Sequence, residues 1–149
     1  MRDALILCEP ASEWVSSLRA HLDAAGIRVI ETRSPRDAWG ELRARPTSIV
    51  CWSLAFTSPE RVAERIFAQR IEYPRSRPVA LARRGMWRGW IEWAREAGAV
   101  DVLGSTRDLR RAAAWFVDHV ARSAPKVDPR PSHVLIDPSW RLPWDVPAT

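Results

Sequence analysis

Cysteine is scarce in this chain. Cys8 and Cys51 are the only two in 149 residues, they form no CxxC pair, and both sit inside apolar runs. A disulfide framework is excluded, and both thiols read as small buried hydrophobes. Glycine is equally thin: the six are isolated from one another, so no phosphate-cradling loop is present. No apolar run approaches the ~20 residues a membrane span needs. The Ala4–Cys8 run is too short for a signal-peptide core and ends in Glu9-Pro10, and too little chain precedes Cys8 for a lipoprotein signal. A cytoplasmic location is therefore expected. Acidic residues are missing from one stretch altogether, since no Asp or Glu lies from Thr47 to Pro59. Lysine is nearly absent: every basic residue except Lys126 is arginine.

What is present describes a globular chain. It is 46% hydrophobic and 28% charged, which argues against disorder throughout. The net charge is +5, and its distribution says more than its sum. Residues 61–111 carry 12 basic and 6 acidic residues, while the segments before and after are close to neutral. An arginine bias of this kind often marks a GC-rich genome, so it is discounted as a nucleic-acid signal.

Short apolar runs alternate with amphipathic stretches. Ala4 to Cys8 reads as a buried strand. Ser12 is placed to cap a helix carrying Trp14, Val15, Leu18, Leu22 and Ala25 at helical spacing, closed by Gly26. Ile27 to Ile30 reads as a second strand. Ser34-Pro35 opens a second helix with Ala38, Trp39 and Leu42 inward, ended by Pro46. Ser48 to Trp52 is a third strand. Ser58-Pro59-Glu60 starts a third helix with Val62, Ala63, Ile66 and Phe67 on its inner face. Pro78 to Ala82 is a fourth strand, Trp87 to Ala97 a fourth helix closed by Gly98, and Val100 to Leu103 a fifth strand. Ser105 or Thr106 caps a last helix with Leu109, Ala113, Phe116, Val117 and Val120 on one face.

Five strand-then-helix units within residues 1–124 imply an α/β domain, a parallel sheet covered by helices on both faces. Right-handed crossovers leave few topologies, and the flavodoxin-like three-layer sandwich with strand order 2-1-3-4-5 suits this size. Residues 125–149 differ. Six of the twelve prolines fall there. They read as an irregular tail, yet Val134-Leu135-Ile136, Trp140 and Trp144 suggest that part of it docks on the domain.

Four passages carry a family resemblance. Leu5-Ile6-Leu7-Cys8-Glu9-Pro10, Pro46 to Ser53, Arg77-Pro78-Val79-Ala80-Leu81 and Ala97-Gly98-Ala99-Val100-Asp101-Val102-Leu103 together resemble the receiver domain of bacterial response regulators. The resemblance covers about residues 3–123, and its Ala-Gly-Ala turn is the most specific part. It implies a chemotaxis-regulator-like fold in two-component signalling. It also implies a site that this chain does not reproduce. A working receiver needs an acidic cluster for Mg²⁺, a carboxylate nucleophile, and a cation and hydroxyl that sense the phosphoryl group. By that resemblance the acidic pair is Cys8 and Glu9, the acceptor position is Trp52 with Ser53 next, the hydroxyl position is Arg83 (or Ala82), and the lysine position is Ser105, followed by Thr106. Only Glu9 keeps its chemistry. The expectation is a degenerate, or pseudo-, receiver without catalytic residues, metal or cofactor.

Each of these residues has a plain alternative role. Glu9 reads as a solvated strand-end residue or a partner of Arg83 or Arg84. Trp52 reads as filling the vacated acceptor site. His21, His119 and His133 share no ligand spacing, and His21 and His119 are expected on helix surfaces. The most distinctive cluster runs from Arg83 to Trp93. Arg83, Arg84, Trp87, Arg88 and Trp90 combine arginine and indole as interaction hot spots do. The leading expectation is thus a non-catalytic, phosphorylation-independent module that meets a protein partner, or forms a homodimer, through its fourth-helix and fifth-strand region. A basic nucleic-acid-associated regulator is the first alternative, on the charge of residues 61–111. An enzyme on a flavodoxin-like scaffold is the second, although no nucleophile–base pair or cofactor fingerprint supports it.

Overall fold

The computed structural model describes residues 3–55, 58–82, 85–86 and 88–124. Five strands, β1 (Ala4–Cys8), β2 (Arg28–Thr32), β3 (Ile49–Ser53), β4 (Arg77–Leu81) and β5 (Asp101–Leu103), alternate with five helices. The helices are α1 (Val15–Leu22), α2 (Pro35–Ala44), α3 (Pro59–Glu72), α4 (Arg88–Ala97) and α5 (Leu109–Ser123). The strands form one sheet in the order β2-β1-β3-β4-β5, and every pairing is parallel. This is the expected flavodoxin-like sandwich.

The period of two along each strand divides the core. Leu5, Leu7, Ile49, Cys51, Val79 and Leu81 face α1 and α5, where Leu18, Leu22 and Phe116 meet them. Ile6, Cys8, Val50, Trp52, Ala80 and Val102 face the other layer, with Ala38, Leu42, Val62, Ile66 and Ala94. Because both faces are covered, every residue of β1 and β3 is buried, which is why these strands read as unbroken apolar runs.

Two helix starts follow the sequence. The hydroxyl of Ser34 accepts from the Asp37 amide at 3.1 Å, and that of Ser58 from the Arg61 amide at 3.4 Å, with Pro35 and Pro59 in the first turns. Gly26 closes the first helical segment at φ 70°, after a 3-10 turn over Asp23–Ala25. The last helix is preceded by a 3-10 turn, Thr106–Asp108, with a reciprocal Ser105–Asp108 capping box.

Other expectations are corrected. Ser12 does not cap α1; its hydroxyl donates to Glu31 at 3.1 Å and also meets Arg33. The second strand runs on to Thr32, whose hydroxyl donates to the Leu7 carbonyl at 2.9 Å and ties the edge strand down. On α3 the inward positions are Val62, Ile66 and Gln69, and Phe67 is 56% exposed. Phe67 sits one residue, about 100°, round from Ile66, and Gln69 is drawn inward by buried polar partners. On α5 Leu109, Ala112 and Phe116 are buried, and Val117 points out. Among the described residues no helix is long and apolar enough to cross a membrane. Residues 125–149, with the expected docking tail, lie outside the described residues.

Candidate functional site

In a doubly wound sheet the carboxyl ends of the strands are where ligands and chemistry sit. Here the ends of β1 and β3 are adjacent, with Cys8 in register with Trp52 and Trp52 with Ala80. Glu9 follows β1 and Ser53 ends β3. Ser105 follows β5 by two residues. Cys8, Glu9, Trp52 and Ser105 thus belong by backbone position to the carboxyl-end side of the sheet. Arg83 and Arg84 lie outside the described residues.

Glu9 is only 1% exposed, against the expectation of a solvated carboxylate. Both of its carboxylate oxygens lie 3.2 Å from the Trp14 amide. The amides of Glu13 and Val15 also support it. Glu9 thus closes the N-terminus of α1 from a distance, supplying the acceptor that the N-cap residue Trp14 lacks. Burial pushes its carboxyl above the ordinary range, opposed by these amides and by the Arg33 guanidinium. Arg33 also donates to the Glu9 backbone carbonyl at 3.4 Å.

Trp52 does not occupy the strand-end position. Its indole is 1% exposed and turns into the layer between the sheet and α2 and α3. Nε1 donates to Gln69 Oε1 at 2.7 Å, and Gln69 Nε2 donates to the buried Ser76 hydroxyl. Gln69 is in the last turn of α3 and Ser76 just precedes β4, so both sit toward the opposite end of the sheet. Trp39 lies 6.2 Å from Trp52 and 5.8 Å from Tyr73, completing an aromatic stack under α2.

The remaining groups are also committed elsewhere. The Ser53 hydroxyl is buried and accepts from the Ala55 amide at 3.2 Å. Ser105 is exposed, and Asp108 Oδ2 accepts from its amide at 3.2 Å and from Gly104 at 2.8 Å. Burial raises the Cys8 thiol to about 11, against a hydrogen-bonding contact with the Thr32 side chain and the field of Arg65, so it stays a thiol near neutrality. Burial pushes Cys51 up further still. Among the described residues no three His, Cys, Asp or Glu side chains cluster closely enough to hold a metal ion. His119 is half-buried and its Nε2 donates to the Thr47 carbonyl at 2.7 Å; His21 Nδ1 lies 2.7 Å from the Ser17 carbonyl. His133 lies outside the described residues.

The expected interaction surface is described in part. Trp87, with Arg83 and Arg84, lies outside the described residues. Arg88 is exposed, and Trp90 is half-buried with its ring 6.4 Å from Trp93. Only Ala94 of α4 is fully buried. Trp93 is 48% exposed, and Val100 just before β5 is 52% exposed. Phe67 and Ile71 on neighbouring α3 are exposed too. The missed signal was Ala94 itself: a small residue where the helix meets the sheet turns its neighbour Trp93 outward.

Comparison with known proteins now bears on the fold. No family model and no curated protein matches the chain. Solved structures do. A response regulator from Thermotoga maritima superposes at TM-score 0.68 with 17% identity, over 79% of this chain and 99% of that one. A CheY-like protein (tadZ) from Pseudomonas aeruginosa PAO1 gives 0.64 with 16% identity, over 78% and 94%. The orphan response regulator HP1043 of H. pylori gives 0.63 with 15% identity, over 80% and 99%. The described part of the chain has the fold of these response-regulator and CheY-like proteins.

Proposed function

We propose that this receiver-fold chain is a signalling module that takes no phosphoryl group. In this reading it is not an enzyme and needs no cofactor. It acts by contact with another protein, or with a second copy of itself, through the region of α4 and β5. The observation that carries the reading is the fate of Glu9. It is the one carboxylate among the positions that correspond to a receiver site by resemblance, and its oxygens are already engaged by the α1 amides. A carboxylate held that way is poorly placed to share a magnesium ion, which demands near-octahedral oxygen ligands. Trp52, at the acceptor position, offers an indole turned away from the strand ends. The half-exposed Trp93 beside Trp90, with Val100 next to β5, supplies the aromatic surface such a contact requires.

The test is an amide NMR spectrum of the protein with and without beryllofluoride and Mg²⁺, repeated with acetyl phosphate. The expected spectra are superimposable. Specific shifts at Glu9, Trp52 and Ser53 would overturn the proposal, because they would report an acyl phosphate or its mimic at the strand ends.

A further inference from the structure

One cluster of charge lies outside this site. Arg36, Trp39, Gly40 and Arg43 recur along α2 at helical spacing and form one stripe. Arg65 comes across from α3. Together with Pro35 they line a cleft of about 600 Å³, within the size range of small-molecule sites. The described residues lining it include no acid. Asp37 and Glu41 lie on the adjoining stripe and line a neighbouring cleft toward β2, which shares Arg36 and Gly40 with this one; Glu41 is held by Arg45. Among the described residues none of the three arginines is ion-paired.

Two features of the cleft have no explanation in packing. The first is Arg65 Nη1, which is buried and without a hydrogen-bond partner among the described residues. A buried guanidinium nitrogen left unpaired is costly, and such a group calls for an unseen partner. The second is Gly40. It sits inside a helix, where glycine costs about 1 kcal/mol relative to alanine. A Cβ added there would meet nothing within 4 Å, so no neighbour requires the glycine. Its missing side chain keeps that flank of the cleft open, beside Arg36 and Trp39. The Trp39 indole is held in place by Trp52 and Tyr73.

We propose that this cleft binds a nucleotide. Its phosphate would lie among Arg36, Arg43 and Arg65, whose planar forks match phosphate oxygens. Its base would lie against the Trp39 indole, along the flank that Gly40 leaves open. The anion would give the Arg65 guanidinium the partner that the protein does not. The proposal is independent of the reading of the strand ends, since none of its residues is used there.

Isothermal titration of the full chain with AMP, GMP, ATP and GTP tests it, with adenosine and inorganic pyrophosphate as separate arms. At least one nucleotide is expected to bind saturably, and more tightly than either fragment. Arg65→Met should weaken it about ten- to a hundred-fold, the loss of one charge-assisted contact. Gly40→Leu leaves every charge in place and favours the helix, yet fills the open flank; it should abolish binding while the thermal midpoint holds or rises. Three results would overturn the proposal: no saturable binding of any nucleotide, pyrophosphate binding as tightly as the best nucleotide, or unchanged affinity in folded Gly40→Leu.

Discussion

Replacing Trp52 by Phe should cost far more than an aromatic-for-aromatic exchange usually does. The indole is sealed from solvent and its Nε1 makes a 2.7 Å bond to Gln69. Phenylalanine removes that donor and leaves Gln69 Oε1 buried without one, a loss of about 1–3 kcal/mol. The smaller ring also leaves a void beside Trp39 and Ala38, worth about 1 kcal/mol more. The expected total is about 2–4 kcal/mol. Urea unfolding followed by far-UV circular dichroism measures it without relying on tryptophan emission. The companion variants are Gln69→Leu and the double mutant. Gln69→Leu orphans the indole N–H in its turn, so the double mutant should be less destabilised than the two singles together. A loss below about 0.5 kcal/mol for Trp52→Phe, or strict additivity in the cycle, would refute the claim that this pair is a sealed polar contact. Trp52→Asp sharpens the point. It restores an acid at the acceptor position, but in an apolar layer, and should destabilise the fold by about 3 kcal/mol or more without conferring acetyl-phosphate reactivity.

Glu9→Gln tests the raised carboxyl. A folded-state pKa above the unfolded one means that the folded state holds the proton longer. Stability then falls as pH rises from the ordinary carboxylate range through the folded value. Glu9→Gln should remove that slope and be at least as stable as wild type at pH 7, because its amide oxygen can still accept from Trp14; urea midpoints at pH 4.5 and 7 check this. Gly98→Ala should cost about 1–3 kcal/mol, since φ is 113° there and the Arg70 side chain lies across the position a Cβ would take. A thermal midpoint equal to wild type would show that this turn relaxes freely.

The fold was legible where one residue type acts through its own backbone. Ser34-Pro35 and Ser58-Pro59 announce helix starts because hydroxyl and pyrrolidine bias the first turn wherever they occur. The apolar runs at Leu5 and Val50 announce buried strands because a doubly covered sheet tolerates no polar alternation. Glu9 was misread because its partners are main-chain amides of the following helix, which carry no letter in the sequence. Phe67 was misplaced, and the facing of Trp93 was not legible, because the inward stripe of a helix depends on where it touches its neighbour. At α3 a buried Gln69 set that stripe, and at α4 a small Ala94 did.

Trp52 joins these failures to the functional question. Its identity shows that a carboxylate is missing, but not where the indole goes. That depends on Gln69 and Ser76, which lie 17 and 24 residues further along the chain and offer a polar end to an apolar slot. With the indole drawn down there, it does not fill the strand ends, and position 52 supplies no acid to them. A mutation that merely disabled phosphorylation would need no such support. The Trp52–Gln69–Ser76 chain instead contributes to the core, so placing a carboxylate at position 52 would require rebuilding the layer beneath α2 and α3. On the proposed reading, packing as much as chemistry keeps a carboxylate from position 52.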